Sequence, residues 1–581
     1  MGSTEQHDDK GTAVEERGEA EAAARGLSRR SFIKGASFVA LGAGTGLALA
    51  ACSPAASEEP GAASDAGPAP NPEASMAAPA TERSSIWDIG EIGEPTQSIE
   101  AEVCIVGGGG TGMAAAVQCV ELGLKPVVIE ALGGYGGSFI GTEFITAVGS
   151  EQQKATGASD SVKDAVTDHL TYHHWIPRRK LTEAFIGQMA DTAEWLEDHG
   201  IGFAFTAGYR NRALAYDDGG EAMRGLNFVN ILGGEAERLG VEAHFNMRAR
   251  RLLVEDGAVK GVLAEDADGR IVEFRSSVVI LGTGGYANNE EFRKEVAAWD
   301  IGNAQALGMN CRNADGIKMA ADAGAAMAES LGTVMWCGPV IVGAISASWQ
   351  TGAYVAGVQP TLWLNQDGER YLREDLFQEN FSGTGVCVRN QKRTFVLFTE
   401  EDLLNWETSG SYAFPFSFGL PGTPLPDIRP TLEPLDSVHV NESIEAAATE
   451  ADLDPAAVKA TLDRYNALCD AAEGLDGEDT SADEDFGKKA QYLRPMREGP
   501  YWLCEVADGF YTTVGGIKIN ERTEVTGTDD EVIPGLYAGG CDAGGIHGDS
   551  YDVMYLGGSG ASWAINSGRL AAKSAATFLG K

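Results

Sequence analysis

Cysteine pairs are missing from this chain. Its nine cysteines form no C-x-x-C and no C-x-x-C-H. That excludes attached c-type haem and the usual zinc or redox pairings, and the spacing suits no ferredoxin-type cluster. Positive charge is scarce: 44 Lys and Arg stand against 85 Asp and Glu, a net charge of -41. This excludes an electrostatic nucleic-acid binder. It favours solubility and repulsion from anionic surfaces. No apolar run is long enough to span a bilayer; the nearest, 35–51, is short and rich in glycine and alanine. No internal repeat is present. What remains is a chain of 581 residues with 43% hydrophobic content, enough for two or more domains with large cores.

The chain is organised around Val103-Cys104-Ile105-Val106-Gly107-Gly108-Gly109-Gly110-Thr111-Gly112, followed by Met113 and three alanines. The apolar run predicts a buried parallel strand, and the alanines predict a helix. Gly107, Gly109 and Gly112 fit G-x-G-x-x-G between them. The first glycine permits the tight turn, the second the approach of a pyrophosphate, the third close packing of helix on strand. The free N–H groups of the helix N-terminus then face the phosphates. A second apolar strand, Pro126-Val127-Val128-Ile129, ends in Glu130, placed to accept from a ribose hydroxyl. Strand, turn, helix and acidic strand end together predict a dinucleotide site. Cys104 and Cys119 fall inside the strand and the helix and are expected to be buried free thiols.

Taken in order, residues 1–27 are polar. Ser28-Arg29-Arg30-Ser31-Phe32-Ile33-Lys34 matches a twin-arginine export signal, and the short apolar run behind it reads as a signal-peptide core. Leu49-Ala50-Ala51-Cys52 resembles a lipoprotein processing site, with Cys52 lipidated after cleavage. The membrane role expected is an anchor, not a span. Residues 53–97, rich in Ala, Pro, Ser, Gly and Glu, read as a disordered tether, with Trp87 beginning to dock. A second glycine cluster, Gly133-Gly134-Tyr135-Gly136-Gly137-Ser138, follows the acidic strand end. Residues 161–200 are expected to be mostly helical. His169, His173 and His174 lie there, with no carboxylate or cysteine spaced to complete a metal site, so none is expected. Residues 241–282 alternate like an antiparallel meander running into Gly282-Thr283-Gly284-Gly285. Residues 288–330 read as helical. Residues 336–511 are richer in aromatics and read as an inserted capping domain. The nucleotide fold resumes at Leu536-Tyr537-Ala538-Gly539-Gly540-Cys541-Asp542, and Leu556-Gly557-Gly558-Ser559-Gly560 opens a final helix.

The expected organisation is a signal over 1–52, a linker over 53–97, a nucleotide-binding body over 98–335 and 512–581, and a cap over 336–511. The expected fold class is α/β, Rossmann-like, of the two-dinucleotide-binding flavoprotein type, with an inserted α+β capping domain. These motifs, with Asn365-x-Asp367-Gly368-x-Arg370-Tyr371 and Gly515-Gly516-Ile517, resemble the flavoprotein family of fumarate reductases, succinate dehydrogenase subunits, urocanate reductases and 3-ketosteroid dehydrogenases. The resemblance covers about 98–581. It implies FAD, a mobile cap, and hydride transfer from FAD N5 to a C=C bond, or the reverse. It places cofactor contacts at Gly107, Gly109, Gly110, Thr111, Gly112 and Glu130, then at Gly136, Gly137, Ser138, Gly141 and Ala249. Further contacts follow at Thr283, Gly284, Gly540, Cys541 and Asp542, with Ser559 and Gly560 at the last helix. No histidine lies near Ser138, where covalently flavinylated members carry theirs, so the FAD is expected to be noncovalent.

The positions that carry arginines and acid-relay groups in fumarate reductases depart together. An ungapped count puts Gln378 at the arginine acid, Ala353 and Tyr354 at the Thr-Glu pair, Gly357 at the relay arginine, Thr512 at the substrate histidine, and Tyr555 at the carboxylate clamp. A dicarboxylate needs cationic, forked partners. Tyr354, Tyr511, Tyr551 and Tyr555 offer rings and phenolic donors instead. The expected substrate is therefore a non-dicarboxylate activated alkene: aromatic, acrylate-like or an enone. Exported gut-bacterial reductases of the cardiac glycoside reductase type are the nearest analogy. Tyr555 is the first candidate for general acid, Tyr354 the second, with Tyr551 and His547 in reserve. With no haem motif and no further nucleotide fingerprint, electrons are expected from a separate cytochrome c or a quinol-oxidising membrane partner, in anaerobic respiration. The alternatives are a ketosteroid-like dehydrogenase running in the desaturating direction and a flavin-containing binding lipoprotein.

Overall fold

The computed structural model describes residues 85–581, apart from 222, 298–303, 309–310, 345–351, 414–421 and 423. The twin-arginine stretch, Cys52 and most of the tether lie outside the described residues. The first described element, Ser85–Trp87, sets the Trp87 ring edge-on to Phe292 at 4.7 Å.

β1 (Val103–Val106) is buried at every position. A parallel strand covered on both faces has no polar side, which is why it reads as an unbroken apolar run. α1 (Gly110–Glu121) follows, with Ala114, Ala115 and Ala116 fully buried. β2 (Pro126–Ile129) pairs parallel with β1, Val103 opposite Pro126. Cys104 and Cys119 are buried and free, and burial pushes both thiols up to about 12. α2 (Val162–Tyr172) opens on Ser161, whose hydroxyl accepts from the Asp164 N–H. Arg179–Gly187 and Met189–Asp198 continue the helical stretch.

β3 (Glu242–His244) pairs parallel with β2, and β4 (Val279–Leu281) parallel with β1. The meander expected over 241–282 is thus shorter: Glu242–His244 belongs to the parallel sheet, where its register with Val127–Ile129 holds it. Met247–Glu255, Ala258–Asp266 and Ile271–Arg275 form the antiparallel part, joined at its edge by Gln97–Glu100. The expected helical stretch over 288–330 is also interrupted. Glu290–Val296 and Asp315–Asp322 are helical, but Gln305–Ala306 is a strand.

The chain then leaves for a second sheet made of β5 (Val334–Ile341), β6 (Leu362–Asn365), β7 (Thr394–Thr399) and β8 (Tyr501–Thr513). β8 pairs antiparallel with both β5 and β7, and Gln305–Ala306 joins it at Gly509 and Phe510. Alternate residues separate two cores, as the period of a strand requires. Leu362, Leu364, Phe395, Leu397 and Leu503 pack under Ile444–Glu450 and Pro455–Ala471. Trp363, Val396, Phe398, Trp502 and Cys504 face the other way. β9 (Glu524–Thr526) and β10 (Val532–Ala538) return to the first sheet, whose strand order is β9-β10-β4-β1-β2-β3, and α3 (Ser559–Phe578) closes the fold. The fold class is α/β with a Rossmann-like parallel sheet. Among the described residues, no helix is long and apolar enough to cross a membrane.

Arg370, from the Asp-Gly-x-Arg-Tyr motif, is a clamp inside this second sheet. It pairs with Glu374 and with Asp483 at 2.9 Å each, and Lys488 approaches Glu374 at 3.2 Å, all four side chains buried. Burial pushes the Glu374 carboxyl up, but Lys488 and Arg370 outweigh it and hold the group below its usual range. Its stabilisation is therefore present at neutral pH and lost as the pH falls below about 4. Glu374→Ala leaves two buried cations short of a partner and is expected to cost about 3–5 kcal/mol. Denaturant unfolding at pH 7 checks it; an unchanged midpoint would remove the clamp role.

Candidate active site

The strand ends of the parallel sheet meet over a cleft. Its walls include Gly107, Gly109, Gly110 and Thr111 from the β1–α1 turn, and Glu130 from the end of β2. Gly136, Gly137 and Ser138 line it from the second glycine cluster, and Ala249, Thr283, Gly284, Gly540 and Cys541 from the other side.

Two glycines explain why the turn takes this shape. Gly107 has φ +105°, and a Cβ on it would stand 2.2 Å from the Gly282 carbonyl oxygen, so β1 and β4 end in direct backbone contact. A Cβ on Gly112 would stand 1.8 Å from the Gly107 carbonyl oxygen. Gly112 therefore does not line the cleft; it lets α1 start against the turn. The Gly109 N-cap supplies no side-chain hydrogen bond. The first N–H groups of α1 stay open to an anion.

Glu130 serves the turn as well as the cleft. Its Oε2 accepts from the Gly108 N–H at 2.5 Å and its Oε1 from the Leu132 N–H at 2.7 Å. Burial pushes its carboxyl up, against the pull of these backbone donors. Asp542, expected against the cofactor, is buried behind the cleft instead. Its oxygens accept from the Thr283 N–H at 2.5 Å and the Gly285 N–H at 2.9 Å, which fixes the turn that lines the cleft. Gly141 closes a short helical turn over Gly137–Gly141 and is not in the wall. Ser559 and Gly560 also stand outside it. The N-terminus of α3 faces Tyr551 instead, with the Gly560 N–H 3.5 Å from the Tyr551 hydroxyl.

Several wall residues carry no local sequence signal: Met247, Arg248, Cys311, Arg312, Asp315 and Ala564. Arg312 matters most. It is buried, and it donates to Asn288 Oδ1 at 2.8 Å, to the Leu307 carbonyl at 2.6 Å and to the Tyr511 carbonyl. These acceptors are all neutral. Burial pulls its pKa down from the usual arginine value. A cation so placed fits a cleft that receives an anion. The buried Ser138 hydroxyl, beside the Cys311 thiol and without a closer partner among the described residues, fits the same group. Open helix N–H groups, a buried hydroxyl, a guanidinium on neutral acceptors and an acidic strand end together suit the pyrophosphate and ribose of FAD.

Beyond Arg312 the site turns aromatic. The Tyr511 hydroxyl lies 3.0 Å from that of Tyr354, which donates to the Cys337 carbonyl at 2.6 Å. Burial pushes both phenols well up, and the buried Glu143 raises Tyr511 further. Tyr551 packs with Met335, Val514, Tyr511 and Val553, and burial pushes its phenol up to about 12. Tyr555 is half-buried between the rings of Tyr209 at 5.1 Å and Tyr172 at 6.0 Å. Its N–H donates to Asp552 at 2.7 Å and its carbonyl accepts from Arg212 at 3.3 Å. Gln378 is half-buried, its amide 3.4 Å from the Ala413 carbonyl. His547 is buried with its ring 5.6 Å from that of Tyr551. His174 is exposed and pairs with Asp549, whereas His169 and His173 turn inward to meet His547.

The chain is 28% identical to the vinyl phenol reductase of Lactiplantibacillus plantarum over 494 residues, 82% of this chain and 96% of that protein. It is 27% identical to a cytochrome fumarate reductase of Shewanella frigidimarina over 483 residues, 82% of this chain and 77% of that one. Its fold is similar to that of 3-ketosteroid delta1-dehydrogenase from Sterolibacterium denitrificans, with a TM-score of 0.67 at 17% identity over 82% of this chain and 99% of that one. A family model described as the FAD binding domain matches residues 102–550, most of the chain. Cleft, glycine turn and match agree, and the chain belongs to this FAD-binding family as an FAD-dependent oxidoreductase acting on CH–CH groups.

Proposed function

We propose that this chain is a reductase of activated alkenes that are not dicarboxylates, with an aryl alkene such as a vinyl phenol as the first class to try. The observation that carries the reading is the contact of Tyr354, Tyr511 and Tyr551, with the buried carboxylates Glu143 and Asp552 near them and Tyr555 tied to Asp552 through its N–H. A dianionic substrate would meet repulsion there. The flat phenol rings suit an aromatic or polycyclic one. The 28% identity to a vinyl phenol reductase over nearly that protein's whole length supports the same class.

Bound FAD supplies the hydride that adds to the β-carbon of the C=C bond. Tyr555 holds the proton destined for the α-carbon, acting as general acid. Tyr209 and Tyr172 orient its ring, while Asp552 and Arg212 fix its main chain. Arg312 and Ser138 hold the anionic part of the cofactor, which is bound noncovalently.

The same reading places the protein outside the cytoplasm, exported by the Arg29-Arg30 signal and anchored through lipid on Cys52. It draws electrons from a cytochrome c or quinol-oxidising partner during anaerobic respiration. A donor assay tests direction and donor together. Reduced methyl viologen is expected to support reduction of 4-vinylphenol, with NADH giving nothing above background. Turnover with NADH, or faster desaturation of a ketosteroid with an artificial acceptor, would overturn it.

A further inference from the structure

His169, His173 and His547 converge behind the tyrosines. One ring nitrogen from each lies within 4.8 Å of the other two, and all three side chains are buried. Their ring centres are 4.4, 5.5 and 5.7 Å apart. Three imidazoles bound to one ion through nitrogen at about 2.0–2.1 Å put their ring centres roughly 5 Å apart. His169 and His173 sit one helical turn apart at the end of α2, and His547 comes from the segment before α3.

The hydrogen bonds leave this cluster unfinished. A carbonyl only accepts, so the 2.8 Å contact with the Ile546 oxygen makes Nε2 the protonated nitrogen of His169. Its Nδ1 stands 3.3 Å from Asp552 Oδ2, so unless Nδ1 is protonated too the two face each other as lone pairs. A cation beside them resolves that conflict. Among the described residues, His173 Nε2 and both ring nitrogens of His547 are buried without a partner. Orphaned polar atoms of this kind are costly.

We propose that His169, His173 and His547 bind a divalent ion of the zinc class, with the Asp552 carboxylate supplying negative charge beside it. Imidazole donors select zinc and its neighbours over magnesium or calcium, which prefer oxygen. The Ile546 carbonyl orients His169 in the way that outer groups orient metal-bound histidines. One contact is given up. The Gly548 N–H donates to His173 Nδ1 at 3.2 Å, and metal on Nε2 moves the ring proton onto Nδ1. A single long hydrogen bond is exchanged for a metal–nitrogen bond. The ion ties α2 to the 546–552 segment that carries Tyr551 and leads into Tyr555. The site is independent of which alkene the enzyme reduces.

Metal analysis of the full-length, FAD-loaded protein tests this, using protein purified without chelators. The expected result is one zinc-class ion per chain. Dialysis against EDTA is expected to lower the melting temperature, and added Zn2+ to restore it. Co2+ is expected to bind in its place with the visible absorption of a low-coordinate nitrogen site. His547→Gln is expected to lose the ion and keep FAD, and Asp552→Asn to weaken it by about 10–100-fold. If His547→Gln fails to fold, the wild-type titration decides alone. No stoichiometric metal, with neither Zn2+ nor Co2+ changing melting or absorption, would overturn the site and leave a proton on His169 as the cation.

Discussion

Tyr555→Phe is expected to lower turnover by about 10²–10⁴-fold with the FAD content unchanged. The substitution removes one oxygen and keeps the ring. Packing against Tyr209 and Tyr172 survives, and so do the main-chain bonds to Asp552 and Arg212. What disappears is the proton donor. The other candidates are less suited. The Tyr354 hydroxyl is committed to the Cys337 carbonyl and to Tyr511, in a site where burial pushes its pKa well up. Tyr551 is deeper, and its phenol is pushed up to about 12. Gln378 has no proton to give near neutral pH. Steady-state turnover, normalised to flavin absorbance, checks the prediction. A Tyr555→Phe enzyme with wild-type turnover would remove the acid role and pass it to Tyr551.

Gly112→Ala is expected to abolish FAD binding. The added Cβ would stand 1.8 Å from the Gly107 carbonyl oxygen and 2.9 Å from its carbon. Both are backbone atoms, with no flexible side chain to yield. The helix must back away from the turn, and the N–H groups of α1 leave the position where they face the phosphates. Gly107 cannot follow, because its own backbone abuts Gly282. Gly134→Ala is the control: nothing lies within 4 Å of a Cβ there. Flavin content after purification checks both. Stoichiometric FAD in the Gly112→Ala protein would show that the turn does not bind the pyrophosphate.

The glycine turn was legible because its role is local. Strand, turn, helix and acidic strand end sit within one short stretch, and each glycine answers a contact with a neighbour in sequence or with an adjacent strand. Thr283, Gly284, Gly540 and Cys541 were legible for the same reason, since a parallel strand running into glycines marks a cleft at a strand end. The hold of Asp542 on the cleft-lining turn was not legible, because its partners, Thr283 and Gly285, lie just past β4's end, far along the chain. Arg312 was invisible for a like reason. Its acceptors among the described residues come from Asn288, Leu307 and Tyr511, and only the closed fold shows that none of these is a carboxylate. The histidine cluster needed the fold too. His169 and His173 alone suggest nothing, and the residues that complete their surroundings, His547 and Asp552, stand at the other end of the chain. Ser559 and Gly560 were read onto the cofactor because a helix N-terminus favours anions. In the folded chain that end is met by the Tyr551 phenol.

The measurement to make first is anaerobic reoxidation of the dithionite-reduced, FAD-loaded protein by fumarate and by 4-vinylphenol, followed by flavin absorbance in a stopped flow. A tyrosine site with Glu143 and Asp552 near it predicts fast reoxidation by the aryl alkene and none by fumarate. Fast reoxidation by fumarate, with the aryl alkene inert, would contradict it and restore a dicarboxylate enzyme.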